Sequence, residues 1–259
     1  MKHYYKFLKY KDGKIVSAHG DQEWEIGKEY SVSGKVKAYN NGFHASETIV
    51  QALSYVHGSV LAVVTASGDS DNDSDKVCYR SMTIKRAYHW RLEDSIALAV
   101  YAAEQVIGMY ECKYPNDPRP RDAIKAAKAY LRCMHNGGNV NTAAIAADNA
   151  AYDATNAAYA ADAANAAGNT IDYTKYAATA AAISASSSAG AAASIYAAAT
   201  RAYADTDAYA ANNAANNAVE AVGCAEDAAS YAARAAERAG VTSNINRWCL
   251  SRIKKLERI

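Results

Sequence analysis

The sequence predicts a small α+β domain over residues 1–93 followed by an all-α, alanine-rich antiparallel helical bundle over 94–259, predominantly helical overall. Three observations predict it. Short stretches before residue 93 alternate polar and apolar residues or are rich in β-branched ones. From Asp94 the apolar period becomes helical. Nearly half of residues 143–239 are alanine, spaced alternately four and three apart.

The elements follow in chain order. HYYKFLKYKDGKIVSAH reads as a hairpin with Asp12-Gly13 at its turn, a pair suited to two successive positive φ angles. EWEIGKEYSV and GKVKAY are further strand candidates. Ser46 is placed to cap a helix over ETIVQALSYV, which Gly58 would stop. VLAVVTASG reads as a buried strand, DSDNDSD as a loop and KVCYRSMTI as a last strand. DSIALAVYAAEQVIGMYE is a helix with Ile96, Val100, Ala103, Ile107 and Tyr110 on one stripe. DAIKAAKAYLRCMH is a second helix, ended by Gly137-Gly138.

Alanine then takes over. Residues 143–163, written in sevens, hold alanine at the first, second and fifth places each time. A second register runs from Ala177 to Ala202 and a third from Ala204 to Ala239. The third would be about 54 Å of helix at 1.5 Å per residue. Long helices with short connections are expected to pack as antiparallel neighbours. The basic tail, residues 241–259, is expected to lie against the acidic helices and their C-terminal ends.

All three prolines fall in YPNDPRPRDAIK. Pro115 should stop one helix, Asp117 can cap the next, and Pro118 or Pro120 suits its first turn, where a missing N–H costs nothing. This stiff corner holds Tyr114, Arg119 and Arg121. A fixed guanidinium fork matches carboxylate or phosphate. Two uses compete: internal ion pairs with Glu111, Asp117 and Asp122, or an anion site at the start of the new helix.

Composition narrows the partners. The net charge is +1, so there is no global attraction to DNA or anionic membrane. The alanine runs are too polar to span a bilayer, and no apolar leader opens the chain. Five cysteines without CxxC spacing point to reduced thiols, hence a cytoplasmic protein. Twenty tyrosines against two phenylalanines suggest rings at wet or ligand-facing positions, Tyr152 and Tyr159 among them.

The stretch ECKYPNDPRPRDAIKAAKAYL, with alanine-dense helices and a closing Arg-Trp helix, resembles immunity proteins of bacterial polymorphic-toxin systems. EIGKEYSVSGKVKAYNNGFHAS, VLAVVTASGD and SDKVCYRSMTI resemble an uncharacterised domain of phage and prophage proteins. Together these resemblances imply a phage or mobile-element protein acting in the host cell cytoplasm.

Other constellations are thin. No HExxH or paired spacing suggests a metal, and His44 in NNGFHAS is the one histidine singled out. Asp69, Asp71 and Asp73 occupy calcium-loop positions, but Ser74 and Arg80 stand where glycine and glutamate are needed. Threonine lacks the spacing of ice-binding helices. No nucleotide-loop or nucleophile-elbow motif is present. The expectation is therefore a non-enzymatic binding protein, without catalytic residues, cofactor or metal, that sequesters a nucleotide-like immune signal. Its ligand residues would be Arg119, Arg121, Tyr152, Tyr159, Tyr114 and His44. Two alternatives stand beside it. One is an immunity-type protein that binds a protein toxin or effector. The other is an enzyme acting on NAD through Glu23, Glu25 or Glu47, since the front half resembles ADP-ribosyltransferases in layout. Long alanine faces also suit a homodimer.

Overall fold

The computed structural model describes residues 2–139 except 21, 57 and 72–75, parts of 142–157, and 242–259. The chain divides into two compact units, Met1–Arg91 with Asn246–Ile259, and Leu92–Ile245.

The first unit is built on an antiparallel sheet. Its strands are β1 (Tyr4–Lys11), β2 (Lys14–Val16), β3 (Glu23–Trp24), β4 (Glu29–Ser31), β5 (Phe43–Ala45), β6 (Val60–Ser70) and β7 (Val77–His89). They run in the order β3-β2-β1-β6-β7-β4, with β5 also on β7. The β1–β2 hairpin turns at Asp12 (φ 51°) and Gly13 (φ 80°), as the Asp-Gly pair predicts. β6 and β7 are the long central pair, buried through Val60, Leu61, Ala62, Val63 and Val64. A register shift beyond Ser67 falls at Gly68 (φ 81°), where a Cβ would meet that of Arg80 at 3.0 Å.

The far edge of β7 is covered piecewise. Ser31 of β4 pairs with Ser81, and the Val32 N–H donates to the Arg80 carbonyl at 3.0 Å. Phe43 of β5 then resumes at Tyr79, in the same register. Residues 33–42 are thus an excursion from one edge line, with Tyr39 on it. Gly27 N–H reaches the Ile84 carbonyl at 2.8 Å. The basic tail completes the edge: His89 N–H donates to the Glu257 carbonyl and Ile259 N–H to the Ala87 carbonyl, both at 3.0 Å. Edge pairing, with Arg91 on Glu257, is how the last residues of the tail are held.

Helix α1 (Ile49–Tyr55) is capped by Thr48, which accepts from Gln51 N–H in a capping box. The expected cap, Ser46, instead exchanges backbone bonds with Tyr5 at 2.8 and 2.9 Å. Gly58 does not end the helix. It packs against β1, where a Cβ would lie 2.1 Å from the Leu8 carbonyl oxygen. EWEIGKEYSV splits into β3 and β4 on opposite edges of the sheet, and GKVKAY forms a turn closed by Lys37 and Asn41.

In the second unit, α2 (Leu92–Lys113) buries the predicted stripe of Ile96, Val100, Ala103, Ile107 and Tyr110. Helix α3 (Arg119–Asn136) starts after Pro118 and ends at left-handed Gly137. Helix α4 (Thr242–Ile253) crosses from the second unit to the first.

The predicted fold class needs correction. Among the described residues the organising element is a seven-stranded antiparallel sheet over the first unit, and they do not form an all-α bundle. The physical reason lies in what alanine contributes. A buried methyl is worth about 0.8 kcal/mol, against about 1.5–3 kcal/mol for Val, Leu, Ile or Phe. A regular alanine period therefore marks a face without supplying the burial that decides architecture. The registers from Ala177 to Ala202 and from Ala204 to Ala239 lie outside the described residues.

Candidate functional site

The first unit contains a cavity of about 520 Å³. That is within the range of small-molecule sites, roughly 300–1,000 Å³. Trp24, Phe43, Tyr39 and Tyr55 supply rings, and Lys6, Lys76, His19 and His44 supply nitrogen. Ser17, Gln22 and Ser46 add polar groups. None of the described lining residues is a carboxylate.

Each wall follows from the fold. Lys6 comes from β1 and His44 from β5. The two meet because Tyr5 and Ser46 bridge the strands. Lys6 Nζ donates to the His44 carbonyl at 2.8 Å. Trp24 is held by its indole N–H, which donates to Ser17 Oγ at 2.9 Å, and by the edge of Phe43 at 5.2 Å between centroids. The excursion 33–42 carries Tyr39, a non-glycine residue at φ 66°. Positive φ in a bulky residue is uncommon and costs about 1–3 kcal/mol. The strain is held in place by Tyr39 N–H, which donates to His44 Nε2 at 3.0 Å, and by Gly42. Gly42 has φ 138°, and a Cβ there would sit 2.5 Å from Cys78 Sγ. No other residue lets the chain rejoin β7 so closely.

Lys76 stands between two tyrosines. Its Nζ is 3.5 Å from the Tyr39 ring centroid and 4.1 Å from that of Tyr55. The residue is 8% exposed, and among the described residues no carboxylate pairs with it. Ring faces stabilise an ammonium by about 0.5–2 kcal/mol but do not neutralise it. Tyr39 itself is 69% exposed, so the clamp opens to solvent.

The electrostatics agree. Burial, then the charges of Lys6 and Lys76, push the His44 imidazole down. Because Nε2 accepts from Tyr39, His44 is neutral with its proton on Nδ1. Burial lowers the Lys6 ammonium to about 8. Burial also pushes the Cys78 thiol up, which argues against a reactive thiolate there.

The other predicted residues fall elsewhere. Tyr114 and Arg119 line a cleft of about 600 Å³ in the second unit, with Pro115 and Asp117. Arg119 is bidentate on Asp117, Nε at 2.8 Å and Nη2 at 2.6 Å, and Tyr110 Oη donates to the same carboxylate at 2.8 Å. Arg119 holds Asp117 down to about 2. Arg121 is bidentate on Glu111, both contacts at 2.6 Å. Both forks thus answer carboxylates of their own unit. Tyr152 is 71% exposed, and Tyr159 lies outside the described residues. Of the five that are described, His44 alone lines the cavity of the first unit.

The acidic candidates are also engaged. Glu23 pairs with Lys14, Glu25 with Lys28 and Glu47 with Lys2, all at exposed positions. In the suspected calcium loop, Asp69 pairs with Arg80 and Asp71 accepts from Ala38 N–H at 2.8 Å. Among the described residues, no group of three His, Cys, Asp or Glu is placed to hold a metal. No helix among them is long and apolar enough to cross a membrane.

Sequence reading reached His44 but missed Lys6 and Lys76. Lys6 hides in the basic run KFLKYK, whose other lysines face solvent. Lys76 sits at the end of an acidic stretch, where a solvated lysine is expected. The usable signal was NNGFHAS, since a Gly before Phe-His announces a close backbone approach.

Residues 6–93 match the model of a family described as a domain of unknown function (DUF7666). No curated protein and no solved structure matches the chain. The matched stretch takes in every cavity residue except Tyr5.

Proposed function

We propose that this chain is a non-enzymatic binding protein that takes up a nucleotide-like anion in the cavity of its first unit. One observation carries the reading. Two ammonium groups and two imidazoles line a cavity whose described walls hold no carboxylate. An anion entering it gains charge-assisted hydrogen bonds, worth about 1.5–3 kcal/mol each. The exposed rings of Tyr39 and Tyr55 suit a base, where stacking is worth about 1–3 kcal/mol. His44 Nδ1–H adds a neutral donor for a ribose or carbonyl oxygen.

The proposal includes a specific role: sequestering an immune signalling nucleotide in the host cytoplasm. Binding without turnover is sufficient for that task. The test is to purify the protein from infected or signal-producing cells, denature it and analyse the supernatant by mass spectrometry. A phosphorylated, base-containing molecule at near-equimolar yield supports the reading. Protein from the same cells that releases nothing, and that leaves added nucleotides free, contradicts it.

A further inference from the structure

We propose that Lys6 is an amine nucleophile that captures its ligand covalently, as an imine with the open-chain aldehyde of a phosphorylated reducing sugar or of a nucleotide with a free anomeric carbon. This rests on the anion-binding reading of the cavity and names a narrower ligand class.

Geometry separates the two cavity lysines: the Lys76 ammonium is held charged over the ring faces of Tyr39 and Tyr55, whereas Lys6 has no ring or carboxylate partner among the described residues. Lys2, Lys14, Lys28, Lys125 and Lys128 each hold a carboxylate. Lys6 lines the cavity, donates only to the backbone carbonyl of His44, and meets no carboxylate among the described residues. A desolvated ammonium without a counter-ion gives up its proton readily. At about 8, roughly a tenth of Lys6 is neutral amine at pH 7, against about one part in a few thousand for an ordinary lysine. The bond to His44 O engages one N–H and leaves the nitrogen lone pair of the neutral amine for attack.

The step balances without an oxidant or reductant. The Nζ lone pair forms a C–N bond to the aldehyde carbon as the C=O π bond opens. A proton passes from nitrogen to that oxygen, giving a carbinolamine. The hydroxyl then leaves as water, taking up the remaining N–H proton as the nitrogen lone pair forms the C=N bond. Lys76 supplies the charge that holds the phosphate of the same ligand.

The experiment incubates the full chain with ribose 5-phosphate and sodium cyanoborohydride, then maps modified peptides by mass. Lys6 should be modified at least tenfold faster than any other lysine, with half-maximal rate near pH 8. Lys76→Gln should slow labelling by ribose 5-phosphate about tenfold, and by a larger factor than it slows labelling by plain ribose. Lys6→Met should abolish the fast phase. Modification spread over exposed lysines, with Lys6 no faster in the wild type, overturns the proposal whatever the variants do. If imine trapping fails while nucleotide binding persists and still needs Lys76, the covalent step falls and the binding reading stands.

Discussion

The Lys76 ammonium lies 3.5 Å from the ring centroid of Tyr39, a residue whose own backbone is held at φ 66°. A strained tyrosine therefore faces a buried cation that has no counter-ion among the described residues. Strain of this kind persists where neighbouring contacts over-determine it, and it clusters at binding sites.

Removing that charge separates binding from folding. Lys76→Met keeps the apolar stem between the two rings and deletes the ammonium. Stability should change by less than about 1 kcal/mol, because lost ring contacts are offset by avoided desolvation. Affinity for a phosphorylated ligand should fall at least tenfold. Denaturant unfolding and a binding titration on the same samples check both parts.

Lys6 predicts a pH dependence with a definite sign. Its folded pKa is about 8, below the ordinary lysine value of 10.5. Between these values the unfolded chain binds more protons, so stability contributed by this site rises with pH. The difference between wild type and Lys6→Met should shrink by about 1–3 kcal/mol from pH 8 to 10. Anion affinity should move the other way and weaken above pH 8 as the charge is lost. Thermal unfolding of both proteins across that range is the measurement.

Gly42 fixes the return of the excursion to β7. Gly42→Ala adds a Cβ that meets Cys78 Sγ at 2.5 Å, at φ 138°. The cost should be about 1–3 kcal/mol in chemical denaturation, with Tyr39 and His44 displaced together. Gly13→Ala, with nothing within 4 Å of its added Cβ, should cost less and leave binding intact.

At the proline corner, Asp117→Asn should cost about 1–2 kcal/mol by releasing Arg119 and weakening the bond from Tyr110. The folded carboxyl is near 2, below its ordinary 3.8. The stabilisation is therefore complete above about pH 4 and lost as pH falls towards 2. Acid unfolding of wild type and variant should converge in that window.

How much of this was legible depended on whether the deciding contacts were local. The Asp12-Gly13 hairpin, the stripe from Ile96 to Tyr110 and the Gly137 stop follow from spacing and backbone preference, and they appear as read. The Thr48 cap was missed because Ser46, an equally good cap chemically, is taken by a long-range bridge to Tyr5. The splitting of EWEIGKEYSV across two sheet edges depends on β7, more than fifty residues away. The alanine registers from Ala177 to Ala239 lie outside the described residues, and a periodic face alone does not supply the burial that decides an architecture. The arginine fork was located correctly in the chain, yet which anion it holds is decided by Asp117 and Glu111 at distances no sequence prints. The cavity was least legible, for its two lysines look like surface lysines until β1, β5 and the turn at Tyr39 close around them.

The most direct test is a titration of tryptophan fluorescence, with Trp24 left as the sole tryptophan by Trp90→Phe and Trp248→Phe, against nucleoside 5′-phosphates, cyclic dinucleotides and the matching nucleosides, with and without Lys76→Gln. The account predicts saturable quenching by at least one phosphorylated member, tenfold weaker or absent for its nucleoside and lost in the variant. No quenching by any phosphorylated member, or equal quenching in both proteins, would contradict it.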